Sequence, residues 1–349
     1  MKFMRSFKVL SISSTILITC LLATTAAAEP TAKFQDINGH WAQVNITKAA
    51  YKGYVDGYPE GTFKPEAAVS RAEFIKMLVA ATNQEILVVN GEWYQSYINA
   101  STQSGIHRYD DFTNDINGEI SRMEIIRLIV RATNTELQKT TVSLDDKALV
   151  YTATKKGLIQ GLSGGSLGLD ESTTRAQAVS VIERVLKLND NELLPIDKSA
   201  VQMAEIAMTG TNFMTVLNRP AYKTFPIQYS VGDVGLGINQ ITVIDSDNPN
   251  TPFTIRDEGS PNRYIVQYQL SWDLSKLQQD IRVSDYFRIS EKEWNDPIQL
   301  DGTEIVAYQE SGETITHLRM SFTKEQLRAY IDNGGLYYFA GEQKVPLFY

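Results

Sequence analysis

The chain runs to 349 residues, with 33 Lys and Arg against 41 Asp and Glu, a formal charge of −8 and one cysteine. So acidic a chain offers no bulk attraction to nucleic acid or anionic lipid, and an anionic partner would have to be held by local sites. A single thiol supplies neither a disulfide framework nor a thiolate metal centre, and no cofactor or metal is expected.

Residues 1–28 have the pattern of a secretory signal peptide. Lys2, Arg5 and Lys8 form the charged start, Val9 to Leu22 the apolar stretch, and Ala26-Ala27-Ala28 the small-residue cleavage site. An uncleaved anchor is the competing reading, disfavoured because Ser11, Ser13, Ser14, Thr15 and Thr19 interrupt the apolar stretch. Thr19 before Cys20 is also a poor match to a lipid-attachment site. Cleavage removes three cations, no carboxylates and the lone Cys20, leaving about 320 residues at a charge near −11, enough for more than one domain. Export without disulfides fits a bacterial surface protein, extracellular and at the cell wall. No later segment is long and apolar enough to span a membrane.

Next comes one device written three times: Ser70-Arg71-Ala72-Glu73, Ser121-Arg122-Met123-Glu124 and Thr174-Arg175-Ala176-Gln177. A hydroxyl residue followed three places later by Glu or Gln, then an apolar run, is a capping box that satisfies orphan N–H groups at a helix start. The arginine is not explained by capping, since a cation in the first turn opposes the helix dipole by about 0.3–1 kcal/mol. Two readings stay open: an anion gripped by N–H groups, dipole and guanidinium together, or a carboxylate of a neighbouring repeat.

Around each box the pattern is helix, loop, helix. The first and third copies superpose without gaps at an offset of 104, placing Gly53 on Gly157, Gly57 on Gly161 and Arg71 on Arg175. The middle copy aligns through Trp93, Ile98 and Gly105, and needs one deletion to bring Arg122 onto Arg71. Ile46, Ala49 and Ala50 mark the buried face of a first helix, and Gly53, Gly105 and Gly157 occupy the position of a C′ glycine. Second helices carry Phe74, Ile75, Leu78 and Val79, then Ile125, Ile126, Leu128 and Ile129, then Val179, Ile182, Val185 and Leu186. One such hairpin cannot bury its stripe alone, so three are expected to form one compact unit.

Phe34-Gln35-Asp36, His40-Trp41-Ala42, Gly57-Tyr58-Pro59, Gly61-Thr62-Phe63-Lys64-Pro65 and Ser70-Arg71-Ala72-Glu73 together resemble the signature of the S-layer homology domain. The similarity covers roughly residues 31–190. It implies a three-lobed, pseudo-threefold helical unit that binds secondary cell-wall polysaccharide non-covalently, often through a pyruvylated amino sugar, in grooves between lobes. The resemblance assigns binding to Asp36, Trp41, Gly57 and Arg71, with Trp93, Arg122 and Arg175 in the other copies. A Trp face suits a sugar ring, with core burial of Trp41 as the alternative. The second copy lacks the Gly-Tyr-Pro loop, carrying Tyr109-Asp110-Asp111-Phe112 instead. The third has Asp145 in place of Trp and Gln177 in place of Glu. One good groove, one intermediate and one poor groove are expected, and fewer grooves weaken a multivalent hold more than proportionally.

Past Pro195 the texture turns to alternating, Tyr-rich stretches. Strands are predicted at 225–231, 240–244, 263–270, 285–289, 304–308 and 314–322, with a helix over 324–330 capped by Thr323. Residues 197–209 fit helix or strand equally. The fold expected overall is multidomain α plus β, the lobed unit followed by an antiparallel β sandwich or barrel. The expected divisions are 1–28, 29–82, 83–135, 136–192 and 195–349. No Gly-x-Ser-x-Gly elbow or His-Glu-x-x-His stands in the second half, and His317 lies in an alternating strand, where a structural role is expected. Asp245-Ser246-Asp247-Asn248 starts like a calcium loop but continues without its Gly and Glu, and reads as a solvated turn. Tyr337-Tyr338-Phe339 and Phe348-Tyr349 read as core packing before a sugar platform. The function expected is a non-enzymatic anchor to cell-wall polysaccharide linked to peptidoglycan, displaying a β domain. The alternative is a surface-tethered carbohydrate-active enzyme with its site in 195–349. Nothing in the sequence specifies an oligomeric state.

Overall fold

In the computed structural model, which describes residues 34–112, 115–253, 261–291, 298, 301–302, 305–306, 314–333 and 335–349, every capping box starts a helix. The signal-like stretch 1–28 lies outside the described residues. The helical half holds α1 (Gln43–Lys52), α2 (Arg71–Ala81), α3 (Gln95–Gln103), α4 (Arg122–Ala132), α5 (Thr135–Gln138), α6 (Asp146–Lys155) and α7 (Arg175–Asn189). The Ser70, Ser121 and Thr174 hydroxyls accept from the backbone N–H groups of Glu73, Glu124 and Gln177, whose side chains accept in return from the cap N–H groups. At the far end of α3, Gly105 takes φ +71°, and a Cβ there would stand 2.2 Å from the Gln138 carbonyl oxygen, so only glycine fits.

The expected apolar faces are buried: Phe74, Ile75, Leu78 and Val79 on α2, Ile125, Ile126, Leu128 and Ile129 on α4, and Val179, Ile182 and Val185 on α7 all join one core. Each first helix packs on the second helix of the copy before it: α3 on α2, α6 on α4, and α1 back on α7. The residues just before the caps tie the circle. Val69 N–H donates to the Thr173 carbonyl, Thr173 N–H to that of Ile120, and Ile120 N–H to that of Val69, each at 3.0 Å.

The free N–H groups that open each helix are spent the same way. Arg71 and Ala72 donate to the carbonyls of Gly118 and Ile116, Arg122 and Met123 to those of Glu171 and Leu169, and Arg175 and Ala176 to those of Ala67 and Pro65. Of the two readings left open for the box, an anion gripped by these amides meets N–H groups that already donate to loop carbonyls. The orphan donors of every box are already satisfied by the loop of the next copy, and the last copy closes on the first.

The ambiguous stretch after Pro195 is a helix, α8 (Lys198–Thr209), followed by the short α9 (Phe213–Leu217). Helix α8 packs on α6 and contributes Ala204 to the helical core. The strands are β1 (Ile227–Val231), β2 (Val234–Asp245), β3 (Arg263–Asp273), β4 (Ile281–Arg282), β5 (Phe287–Ser290), β6 (Asp301–Gly302), β7 (Ile305–Val306) and β8 (Thr314–Thr323). Helix α10 (Lys324–Asp332), β9 (Tyr337–Ala340) and β10 (Gln343–Pro346) complete the chain. They form antiparallel sheets in the orders β1-β2-β3-β8-β6, β10-β9-β5 and β4-β7, and among the described residues none closes into a barrel. The fold is therefore mixed α plus β.

Several strand expectations shift. Strand β2 starts six residues earlier than predicted, because a bulge between Ile238 and Gln240 breaks its alternation. A 3₁₀ turn at Val283–Asp285 takes the start of the strand predicted at 285–289. Of 304–308, only β7 is described. Tyr338, Phe339 and Phe348 are buried, as core packing requires, while Tyr349 is exposed. The Asp245–Asn248 turn is closed by an internal cation, with Lys324 Nζ 2.6 Å from Asp245 and 2.8 Å from Asp247.

Asn212 fastens α8 to the sheet. Its amide nitrogen donates to Gln202 and to the Val243 carbonyl, and its oxygen accepts from Val243 N–H, all fully buried. Glu205 of α8 accepts from the N–H groups of Met214 and Thr215, capping α9, although burial pushes its carboxyl up.

The capping boxes give a direct prediction. Ser70→Ala, Ser121→Ala and Thr174→Ala each lower stability by about 0.5–2 kcal/mol, and the glycine variants by only a few tenths, as read by urea unfolding followed through helical circular dichroism.

Candidate functional site: a cleft at the first repeat loop

A cleft of about 210 Å³ opens where three copies meet. The loop after α1 contributes Tyr54 to Tyr58, α2 contributes Glu73, Lys76 and Met77, the start of the second copy contributes Trp93, and α7 contributes Arg175. Three of the sequence-selected residues, Gly57, Trp93 and Arg175, are thus brought together, although they come from different repeats.

Arg175 is buried, yet its guanidinium borders this cleft. Its Nε donates to the Phe63 carbonyl at 2.9 Å and its Nη2 to the Asp56 carbonyl at 3.0 Å, and it lies over the Phe63 and Tyr58 rings. The nearest carboxylate, Glu73, stands off at 3.7 Å, and Lys76 and Asp56 pair loosely at 3.4 Å. Gly57 is required for packing as well as access, since a Cβ there would fall 2.2 Å from the Phe34 ring and 2.7 Å from the Thr62 carbonyl oxygen. Trp93 is 52 % exposed, with its indole over the opening rather than in the core.

The other four residues lie elsewhere. Arg71 is in a closed ion pair, with Nε 2.8 Å from Glu124 Oε1 and Nη1 3.1 Å from the Asp115 carbonyl. For this copy the neighbouring-repeat carboxylate is the partner. Arg122 reaches the third-copy loop, donating to the carbonyls of Leu167 and Gln160. Trp41 is 63 % exposed, which removes the core-burial alternative, and its ring sits 5.4 Å from His40. Asp36 accepts from Phe63 and Lys64 N–H groups at 2.7 Å each, pinning the loop end. Slight burial opposes ionisation there, but those two donors hold its carboxyl below the usual range. Sequence reasoning missed Tyr58, Glu73, Lys76 and Met77 as lining residues. The helical spacing of Glu73, Lys76 and Met77 after Arg71 is the signal that could have found the last three.

The divergent copies fold differently at the same place. In the second, Asp111 is buried against Arg131 at 2.5–2.6 Å, and Arg108 donates to the carbonyls of Leu137, Lys139 and Val142. In the third, Gly161 N–H donates at 3.0 Å to the Asp197 carboxylate, whose other oxygen caps α8. Asp145, standing where Trp would be, is the N-cap of α6. A larger cavity of about 620 Å³ lies between this loop and the β2–β3 turn, lined by Gly164, Gly165, Lys198, Asn248 and Asn250 among others. None of the sequence-selected residues lines it, and the candidate site is the smaller cleft. Among the described residues, no His, Cys, Asp and Glu group could hold a metal ion, and no helix is long and apolar enough to cross a membrane.

Residues 33–75 match the S-layer homology domain. An S-layer protein of Bacillus licheniformis is 22 % identical over 300 residues, covering 75 % of this chain and 33 % of that protein. A cellulosome-anchoring protein of Acetivibrio thermocellus is 46 % identical over 46 residues, 13 % of this chain and 10 % of the relative. An exoglucanase of the same organism is 29 % identical over 179 residues, 45 % of this chain but 16 % of the enzyme. The chain thus spans a third or less of the length of these relatives. It carries an S-layer homology domain.

Two outcomes follow from the geometry. Arg71→Met leaves the Glu124 carboxylate buried and unpaired and costs about 3–5 kcal/mol in urea unfolding, most of it recovered by adding Glu124→Gln, which keeps the cap. The Asp36 clamp has a pH signature. A carboxyl depressed on folding adds stability above its unfolded value, near 3.9, and loses it as pH falls through the lower folded value. Hydrogen-exchange protection of the Phe63 and Lys64 amides is therefore expected to fall below about pH 4, and to be absent at neutral pH in Asp36→Ala.

Proposed function

We propose that this chain, carrying an S-layer homology domain, anchors an exported protein non-covalently to bacterial cell-wall polysaccharide and displays residues 195–349 at the cell surface. On this reading the three copies, 29–82, 83–135 and 136–192, are one pseudo-threefold unit. The ring of hydrogen bonds through Val69, Ile120 and Thr173 supports that arrangement. Residues 1–28 direct export, and the sheets beyond Pro195 stack as a sandwich.

The observation that carries the proposal is the cleft joining Gly57, Trp93 and Arg175. An exposed indole beside a cation and polar groups is suited to a sugar ring bearing an acidic substituent, the apolar face stacking and the acid meeting the guanidinium. The chain itself supplies a precedent, because Gly161, the counterpart of Gly57, already donates its N–H to a carboxylate. A pyruvate ketal on an amino sugar would present the same group. Asp36 and Gly57 then shape the loop, Arg175 and Trp93 make the principal contacts, and Trp41, Arg71 and Arg122 belong to the other two positions. Arg71, closed onto Glu124, makes the second position the weakest.

Matched segments amount to 10 % of the cellulosome-anchoring protein and 16 % of the exoglucanase, as expected if the shared part is the anchor and the remainder differs by cargo. The mature chain is expected to pellet with purified wall sacculi and to stop pelleting once acid extraction has stripped the attached polysaccharide. Trp93→Ala, at an exposed site, leaves stability within about 0.5 kcal/mol but weakens binding at least about tenfold. Undiminished pelleting after extraction would overturn the polymer reading. Release of soluble sugar during the incubation would instead favour a carbohydrate-active enzyme.

A further inference from the structure

Strand β1 is an edge that its sheet leaves bare. It lies at one end of the order β1-β2-β3-β8-β6 and pairs with β2, from Ile227 opposite Ile238 to Val231 opposite Val234. Gly232, at φ +61°, and Asp233 close the hairpin. A two-residue loop makes its flanking pair a hydrogen-bonded one, and bonded and non-bonded pairs alternate from there. Val231, Tyr229 and Ile227 therefore turn their N–H and C=O groups to β2, while those of Gln228 and Ser230 point outward. Among the described residues, these outward backbone groups have no partner, and both side chains are exposed.

Proteins blunt such edges with charge, proline or brevity. The other described edges follow that practice. Strand β5 carries Arg288, β10 carries Lys344 and Pro346, and β4, β6 and β7 are two residues long. Strand β1, Ile227-Gln228-Tyr229-Ser230-Val231, has five residues with neither charge nor proline among them. It is also held firm. Ile227 and Tyr229 pack on the core of this half, the Tyr229 hydroxyl meets that of Tyr338 at 2.7 Å, and Val231 lies against Gly341. An edge already fixed loses little further freedom on pairing.

Its sequence suits a second copy of itself. A twofold axis through Tyr229 sets two β1 strands antiparallel, with Gln228 opposite the partner's Ser230. All the outward groups of both strands are then used in reciprocal bonds, and a side-chain amide faces a hydroxyl. The ends match as well. Lys223 stands before the strand and Asp233 after it, both exposed, so antiparallel pairing brings opposite charges together at each end of the seam. That complement matters because two chains of formal charge −8 otherwise repel.

We propose that β1 is a self-association edge, joining two copies of this chain through an antiparallel β1–β1 seam into one continuous sheet. The inference goes beyond the anchoring reading and does not rest on it. A seam five residues long is small beside the about 1,200–2,000 Å² of a stable interface, so the pairing is weak in dilute solution and grows with crowding.

Sedimentation of the mature full-length chain over rising concentration should show a reversible monomer–dimer equilibrium, with the Gln228 and Ser230 amides exchanging more slowly in the concentrated sample. Ser230→Pro removes an outward N–H and leaves the β2 ladder intact, and should abolish both effects. Gln228→Lys combined with Ser230→Lys sets like charges across the seam and should weaken the dimer at least about tenfold; it decides if the proline variant does not fold. Val88→Asp, in the exposed apolar run Ile86 to Val89, should change neither readout. A chain monomeric at every concentration, or a dimer that survives the edge variants, overturns the proposal. So does a dimer lost in Val88→Asp whose edge amides were never protected. Monomeric protein that still pellets with sacculi sinks this inference alone and leaves the anchoring reading standing.

Discussion

The helical half depends on backbone donors at each helix start being satisfied by the following copy. Six N–H groups of the first turns, two from each capping box, end on carbonyls of the following loop, and three further bonds link Val69, Ile120 and Thr173 in a circle. A single helical hairpin would leave these donors to water and its apolar stripe uncovered. Closing the circle serves both needs together, because the contact that brings a loop carbonyl to a helix start also lays α1 on α7, α3 on α2 and α6 on α4. The arginine of each box belongs to the same construction, reaching across to loop carbonyls and fixing the loop's path.

Within that frame the copies have drifted apart chemically. Arg71 meets a carboxylate at 2.8 Å and is sealed, Arg175 borders an open cleft with its nearest carboxylate at 3.7 Å, and Arg122 shares Gln160 with a second cation. Equivalent backbone positions thus present a closed ion pair, a loosely compensated cleft and two cations sharing one neutral partner. Backbone geometry fixes the position of these groups, and the side chains of the facing loop decide what each can bind. Asp111, buried against Arg131, has no counterpart at Asp56, which is exposed beside Lys76.

Much of the helical half was legible because its signals are local. Capping boxes, C′ glycines and apolar stripes each lie within a dozen residues, and their partners are the backbone of the same helix. The orientation of the arginines was not legible, since it depends on Arg175 meeting Phe63 and Asp56 more than a hundred positions away. For the same reason Gly57 and Arg71, neighbours in sequence, belong to different clusters. Strand alternation located most of the second half but failed at the bulge in β2 and at the 3₁₀ turn before β5, where the period of two is interrupted. Helix α8 was ambiguous because it is amphipathic toward two partners, Ala204 in the helical core and Gln202 toward Asn212.

Asn212 has a mechanical consequence. Its three buried bonds clasp β2 to α8, and α8 rests on α6, so no slack tether separates the repeats from the sheet. Tension applied to the outer strands passes through a short strut of helix into the lobes instead of first straightening a coil. Whatever those lobes grip, the sheet is held at a fixed standoff and angle, like a bracket rather than a leash.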